Sequence, residues 1–181
     1  MDVKSAIEKR RSIRKYKDKE VPDSLIKEII GAARLAPSAY NAQPSRFVII
    51  KSRETKETLK KNNVFKQAFV YNSPLIIVCL GDPEAYPKER LEPIYSNSQE
   101  IAGDVGAVRD VSISTQNLVL RAVDLGLGTC YIGLVARNKI KKILDIPNNY
   151  VLPFVITAGY PAEKPKPMPR KNLKDLIIKN I

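Results

Sequence analysis

Leu75-Ile76-Ile77-Val78-Cys79-Leu80 is an uninterrupted apolar run rich in β-branched side chains. Without a polar face, a run of this length predicts a strand covered on both sides. Working outward, further strands are predicted at 46–51, 128–134 and 151–159. A short amphipathic helix is predicted over 3–11, with Val3, Ala6 and Ile7 on one face. A second begins after Pro22, capped by Asp23 or Ser24, with Leu25, Ile26, Ile29, Ile30 and Ala33 as its stripe and Pro37 as its stop. A polar helix is predicted over 54–61, a turn or two around 65–71, and a short helix over 138–144. Residues 82–102 hold three prolines and little periodicity, which predicts a long loop with one helical turn, a candidate lid.

The longest helical pattern runs over 104–125 and is closed by Gly126. Val105, Val108, Val111, Ile113, Leu118, Val119, Ala122 and Val123 spread around much of its circumference, so it should be buried on several sides. A small monomer covers such a helix with difficulty, which points to a dimer. Beyond 159, Pro161, Pro165, Pro167 and Pro169 favour an extended arm. A last amphipathic helix is predicted over 173–178, and the arm should dock on something, a partner subunit being the candidate.

The chain has 181 residues, 44% apolar and 28% charged, which fits one compact domain spanning 1–181. No apolar run approaches the ~20 residues needed to cross a bilayer. The start, Met1-Asp2-Val3-Lys4, lacks the apolar centre of a signal peptide, so a cytoplasmic location is expected. Histidine is absent, which removes His-based triads, HExxH metal sites and imidazole acid–base chemistry. The two cysteines, Cys79 and Cys130, read as buried, reduced core residues, too few for a structural zinc site. No metal is expected. If the chain is an enzyme, a borrowed cofactor carries the chemistry. The net charge of +12 suits nucleic acid, an anionic membrane surface or phosphorylated small molecules, and does not choose among them.

Four segments can carry chemistry. In Lys9-Arg10-Arg11-Ser12-Ile13-Arg14-Lys15-Tyr16-Lys17, six of nine residues are basic. Arginine forks and a serine hydroxyl can grip phosphate oxygens; a nucleic-acid patch or a solvated charged loop are the other readings. Pro37-Ser38-Ala39-Tyr40-Asn41-Ala42-Gln43-Pro44 offers small polar groups to a heterocycle, or is an ordinary helix-to-strand turn. Gly126-Leu127-Gly128-Thr129-Cys130-Tyr131-Ile132-Gly133 permits close backbone approach to a planar ligand, or is a cap glycine followed by a tight strand. Pro169-Arg170-Lys171-Asn172 is a further phosphate ligand or a basic turn.

In order and spacing, RRSIRKY, APSAYNAQP, GLGTCYIG and a Pro-rich tail with PRK resemble the nitroreductase family of FMN proteins, over residues 2 to 179. RRSIR and the PS..N.QP segment are the more specific parts. The resemblance implies a nitroreductase-like α+β fold: a central mixed, mainly antiparallel sheet flanked by helices, in an intertwined homodimer with an exchanged C-terminal arm. It implies FMN as cofactor, with NADH or NADPH as electron donor and small oxidants such as nitroaromatics or quinones as acceptors. Flavin reductase, dehalogenase or dehydrogenase chemistry, or flavin binding without turnover, are the alternatives.

Carried over position by position, the resemblance puts Arg10, Arg11, Ser12 and Arg14 on phosphate and ribityl, with Arg14 nearest the pyrimidine edge of the flavin. There a fixed cation tunes the cofactor toward reduction. Pro37, Ser38, Ala39 and Asn41 match the segment given by the opposite subunit. Tyr131, Ile132 and Gly133 match the backbone beside the ring, Arg170 and Lys171 the late phosphate ligand, and Gln67 a ring or ribityl contact. Flavin N5 carries the chemistry, so no side chain is expected to be catalytic. Two departures concern pocket shape: many relatives carry Trp where this chain has Ser45 and Tyr131. A nucleic-acid binder would rest on charge alone, since four Phe and no Trp give no aromatic platform; no nucleic-acid or membrane partner is expected.

Overall fold

The computed structural model describes residues 1–87 and 103–180. Four strands, β1 (Ser45–Ile50), β2 (Leu75–Gly81), β3 (Gly128–Ile132) and β4 (Val151–Gly159), form one sheet in the order β1-β2-β4-β3. All three pairings are antiparallel; a parallel bridge joins Ser12 to Thr129. This is the mainly antiparallel sheet that the sequence implied.

β2 is buried at every position, and its alternation divides the interior. Ile76, Val78 and Leu80 enter one core with Leu59 and Ile140. These come from α3 (Arg53–Lys61) and from α5 (Arg137–Ile143). Leu75, Ile77 and Cys79 enter the other core with Ile26, Ile29, Val111 and Leu118, from α2 (Asp23–Arg34) and α4 (Gly103–Asp124). Each fully buried Ile or Leu contributes about 1.5–3 kcal/mol of transfer free energy, so the strand is worth a layer of helix on each face. The first helix, α1 (Val3–Lys9), is capped by the Asp2 carboxylate, which accepts from the Ser5 N–H at 2.9 Å.

Three details differ from the sequence reading. Pro22, not Asp23 or Ser24, occupies the N-cap of α2, without a side-chain bond. Asp23 lies one position inside, where its charge faces the positive helix end and accepts from Lys51 Nζ at 2.9 Å. Helix α4 is buried along one side only: Val105, Val108 and Ile113 are exposed. The segment 173–178 is not a helix but a single 3-10 turn at Leu173–Asp175, with Leu173, Leu176, Ile177 and Ile178 all exposed. So short a segment forms no stable helix without a surface to bury against. Of the 82–102 loop, the 3-10 turn Pro83–Ala85 is present; the remainder, and with it the lid reading, lies largely outside the described residues.

Two glycines have distinct duties. Gly126 ends α4 with φ of +76°, the left-handed geometry that a helix C-terminus favours. At Gly128 a Cβ would lie 2.5 Å from Ile13 Cγ1 and 3.0 Å from Pro161 Cγ, so the sheet and residue 13 meet without room for a methyl group. Gly128→Ala is expected to cost about 1–3 kcal/mol by overpacking, read as a lower urea midpoint with unchanged slope; an unaltered midpoint would show that Ile13 yields freely.

Candidate functional site

Arg10 caps the end of α1, its N–H donating to Ala6 O. The chain then turns beside β3, where the Ile13 N–H donates to Thr129 O at 2.9 Å. Ile13 is buried. The Tyr16 hydroxyl donates to Ile13 O at 2.7 Å and lies 2.7 Å from Thr157 Oγ1; burial pushes its phenol up. The two apolar residues between the charges are thus the anchors, and they leave the cations outside. Arg10, Arg11, Ser12, Arg14, Lys166 and Arg170 line a cleft of about 510 Å³. Residues at opposite ends of the chain therefore share one basic cavity.

Among the described residues, Arg10, Arg14 and Arg170 form no salt bridge. Three guanidinium groups beside a serine hydroxyl make a donor set matched to a phosphate dianion. Arg11 differs: its Nη1 donates to Glu8 O and Arg10 O, both at 2.7 Å, so part of its fork closes the end of α1. Lys171 is exposed and does not line the cleft.

The 37–44 segment is held elsewhere. It contains a 3-10 turn at Ala39–Asn41, and Tyr40, Asn41 and Gln43 have φ of 54°, 55° and 49°. Left-handed backbone in such residues costs on the order of 1 kcal/mol or more each and needs outside support. Asp110 of α4 supplies it. Its buried carboxylate accepts from the Ala39 N–H at 3.0 Å, the Tyr86 hydroxyl at 3.0 Å and Arg109 Nε at 2.8 Å. Ser38 Oγ accepts from the Gln43 N–H at 2.9 Å. Pro37 and Ser38 border a cavity of about 460 Å³ with Arg34, Arg46, Asp110 and Ser114. That cavity and the basic cleft have no lining residue in common, Ser38 lining only the first and Arg10 only the second.

The third segment lies along β3. Ile132 points into the core, while Tyr131 is partly exposed and meets Phe154 in a T-shaped contact with centroids 5.0 Å apart. Burial pushes the Tyr131 phenol up to about 12, so it stays protonated at neutral pH. Of the three glycines expected to admit a planar ligand, Gly126 and Gly128 serve the fold. Gly126 and Gly133 are both exposed with open space where a Cβ would stand, but Gly133 has no positive φ that requires glycine. It lines a groove of about 500 Å³ with Phe65 and Lys66. Next along the chain, the Gln67 Oε1 is buried without a hydrogen-bond partner. An orphaned buried acceptor is costly, and a ligand N–H or hydroxyl is the kind of partner it lacks. The cationic donors of the cleft suit a phosphate; the groove beside Gly133 shares no lining residue with that cleft, and Gln67 lines neither.

Sequence reasoning missed Asp110 and Glu163. Asp110 is a carboxylate within a largely apolar helix, a signal that was present. Glu163 Oε1 accepts from the Arg14 and Lys15 N–H groups at 2.5 and 3.1 Å, a link between residues far apart in sequence that no local pattern shows.

Comparison with known proteins matches residues 7–63 and 57–160 to the nitroreductase family. A Thermus thermophilus protein named NADH dehydrogenase is 32% identical, covering 98% of this chain and 96% of the relative. A Bacillus subtilis protein named FMN reductase [NAD(P)H] is 29% identical over 93% of this chain and 70% of its own length. Among solved structures, a Desulfovibrio desulfuricans protein in complex with FMN superposes with a TM-score of 0.79 at 27% identity, covering 100% and 98% of the two chains. A Streptococcus mutans nitroreductase-like protein reaches 0.88 at 24% identity over 98% and 96%.

Both cysteines are free and buried. Burial pushes both thiols up; for Cys130, beside Ser12, the nearby Arg14 and Arg10 pull partly the other way. The folded state therefore keeps protons that the unfolded chain sheds above about pH 8.5, and stability falls as pH rises beyond that point. For the fully buried Cys79 the slope is up to about 1.4 kcal/mol per pH unit. Urea unfolding at pH 8.5 and 9.5 should show a smaller loss in Cys79→Ala than in the wild type; equal losses would mean that the Cys79 thiol does not take part.

Proposed function

We propose a function from one premise: the chain belongs to the nitroreductase family. It is an FMN-dependent NAD(P)H oxidoreductase, and we infer that nitroaromatics or quinones are among its acceptors. The observation that carries the reading is the basic cleft, where Arg10, Ser12, Arg14 and Arg170 gather from both ends of the chain with Glu8 at its lining, and where, among the described residues, no carboxylate is in salt-bridge contact with those arginines. When bound, FMN supplies a hydride acceptor and donor between nicotinamide and oxidant, which accounts for a chain without histidine.

The remaining roles belong to side chains and backbone. Arg10, Ser12 and Arg170 hold phosphate, with Arg11 and Lys171 adding charge around them. Arg14 stands as a fixed cation that favours the electron-richer state of the bound group. Tyr131, Ile132 and Gly133 offer a narrow backbone face to the ring, and Gln67 Oε1 accepts from it. Pro37, Ser38, Ala39 and Asn41 complete the site of a second copy. The separation of their cavity from the basic cleft supports a homodimer, as do the exposed Val105, Val108 and Ile113 and the uncovered tail. Each copy then acts as a single domain over 1–181, with the C-terminal arm exchanged beyond Arg170, the last residue to line its own cleft. Light scattering of the holoprotein should give twice the 20.3 kDa chain mass.

Fluorescence titration of FMN into the full chain should show saturable binding, and anaerobic NADH or NADPH should bleach the yellow complex. In the same titration Arg10→Ala should weaken binding by about 1.5–3 kcal/mol, the worth of a hydrogen bond to a charged group; full affinity would remove Arg10 from the phosphate. Arg14→Ala should lower the flavin midpoint potential, and an unchanged potential in the loaded variant would remove Arg14 from tuning.

A further inference from the structure

The two walls of the basic cleft come from chain ends that meet along a short antiparallel seam. The Lys17 N–H donates to Tyr160 O at 2.8 Å, Tyr16 bridges Pro161, and the Ala162 N–H donates to Lys15 O at 2.9 Å. There the backbone pairing ends. The next link is a side chain: Glu163 Oε1 accepts from the Arg14 N–H at 2.5 Å and the Lys15 N–H at 3.1 Å. From residue 165 onward the arm lines the cleft with Pro165, Lys166, Pro167, Met168 and Arg170, facing Arg10, Ser12 and Arg14. Among the described residues, no backbone hydrogen bond ties 164–170 back to 10–14. Glu163 is thus the last fastening before the walls diverge.

We propose that Glu163 is a positioning residue that sets the width of the cleft for a phosphomonoester, an inference that rests on the FMN reading above. Its charge argues against a simpler role in attraction. A carboxylate beside a phosphate site repels the incoming anion and offsets part of the arginines' field. It helps only through geometry, by holding two N–H groups that have no other protein acceptor among the described residues and by fixing where Arg170 stands relative to Arg10. Glu163→Gln keeps an oxygen acceptor at the same reach and deletes the charge. Glu163→Ala deletes both.

The two roles therefore differ in sign. FMN and riboflavin, which shares the ring and ribityl chain but has no phosphate, are titrated by fluorescence into the full chain of each variant. Glu163→Ala should raise the FMN dissociation constant about tenfold or more, the scale of one charge-assisted hydrogen bond. Riboflavin affinity should stay within about twofold, and Glu163→Gln should bind FMN at least as tightly as the wild type. Equal losses for both ligands, an unchanged Glu163→Ala, or a Gln variant as weak as the Ala variant would each overturn the proposal. Should Glu163→Ala not fold, Glu163→Asp, which draws the oxygen back by one methylene, should show the same loss for FMN alone. A wild-type chain that binds neither ligand would instead sink the FMN reading itself.

Discussion

A strand with no exposed face must be covered twice, and β2 imposes that demand on the whole chain. Its odd residues require α2 and α4 on one side, and its even residues require α3 and α5 on the other. With both faces of the sheet occupied, chemistry has to be placed where strands end and where chain termini cross them. The first segment follows this rule. It is pinned beside β3 by Ile13 and Tyr16, and its basic side chains project away from the protein interior.

The placement has an electrostatic cost. Cations that outnumber the nearby carboxylates of Glu8 and Glu163 repel one another, by roughly 1 kcal/mol per pair at contact distance in water and more near a low-dielectric surface. The fold tolerates this because its anchors are apolar contacts and backbone hydrogen bonds. The same logic holds at 37–44, where three left-handed residues stay in place because Asp110 is buried beneath them. In both places a rigid support carries a locally unfavourable arrangement, the usual mark of a surface shaped for a ligand.

Much of this was legible in advance. Strand β4 matches its predicted span, and β1, β2, α3 and α5 fall within a residue or two, because periodicity and turn residues record local burial. The α2 cap was misread because a proline fixed the entry, leaving Asp23 free to pair with Lys51. The 173–178 segment was misread as helix because its amphipathic pattern does not say which molecule buries it. At the site, motif order located the cations, but not that Arg11 closes a helix end, nor that Gly128 is packed against Ile13. Asp110 and Glu163 both act on backbone far away in sequence; Asp110 left a local sign, a carboxylate in a largely apolar helix, and Glu163 left none.

The sheet also differs between its two sides. Strand β3 is flanked by the chain's own residues 12 and 13, which take up part of its outer hydrogen-bonding row. Strand β1 pairs only with β2 among the described residues, leaving a second row of donors and acceptors without a strand. Lateral growth of this sheet is therefore one-directional, and any extended segment recruited to it must approach β1. Arg46 and Lys51 stand at the two ends of that approach, charged gatekeepers of the kind that keep an open border from self-pairing indiscriminately.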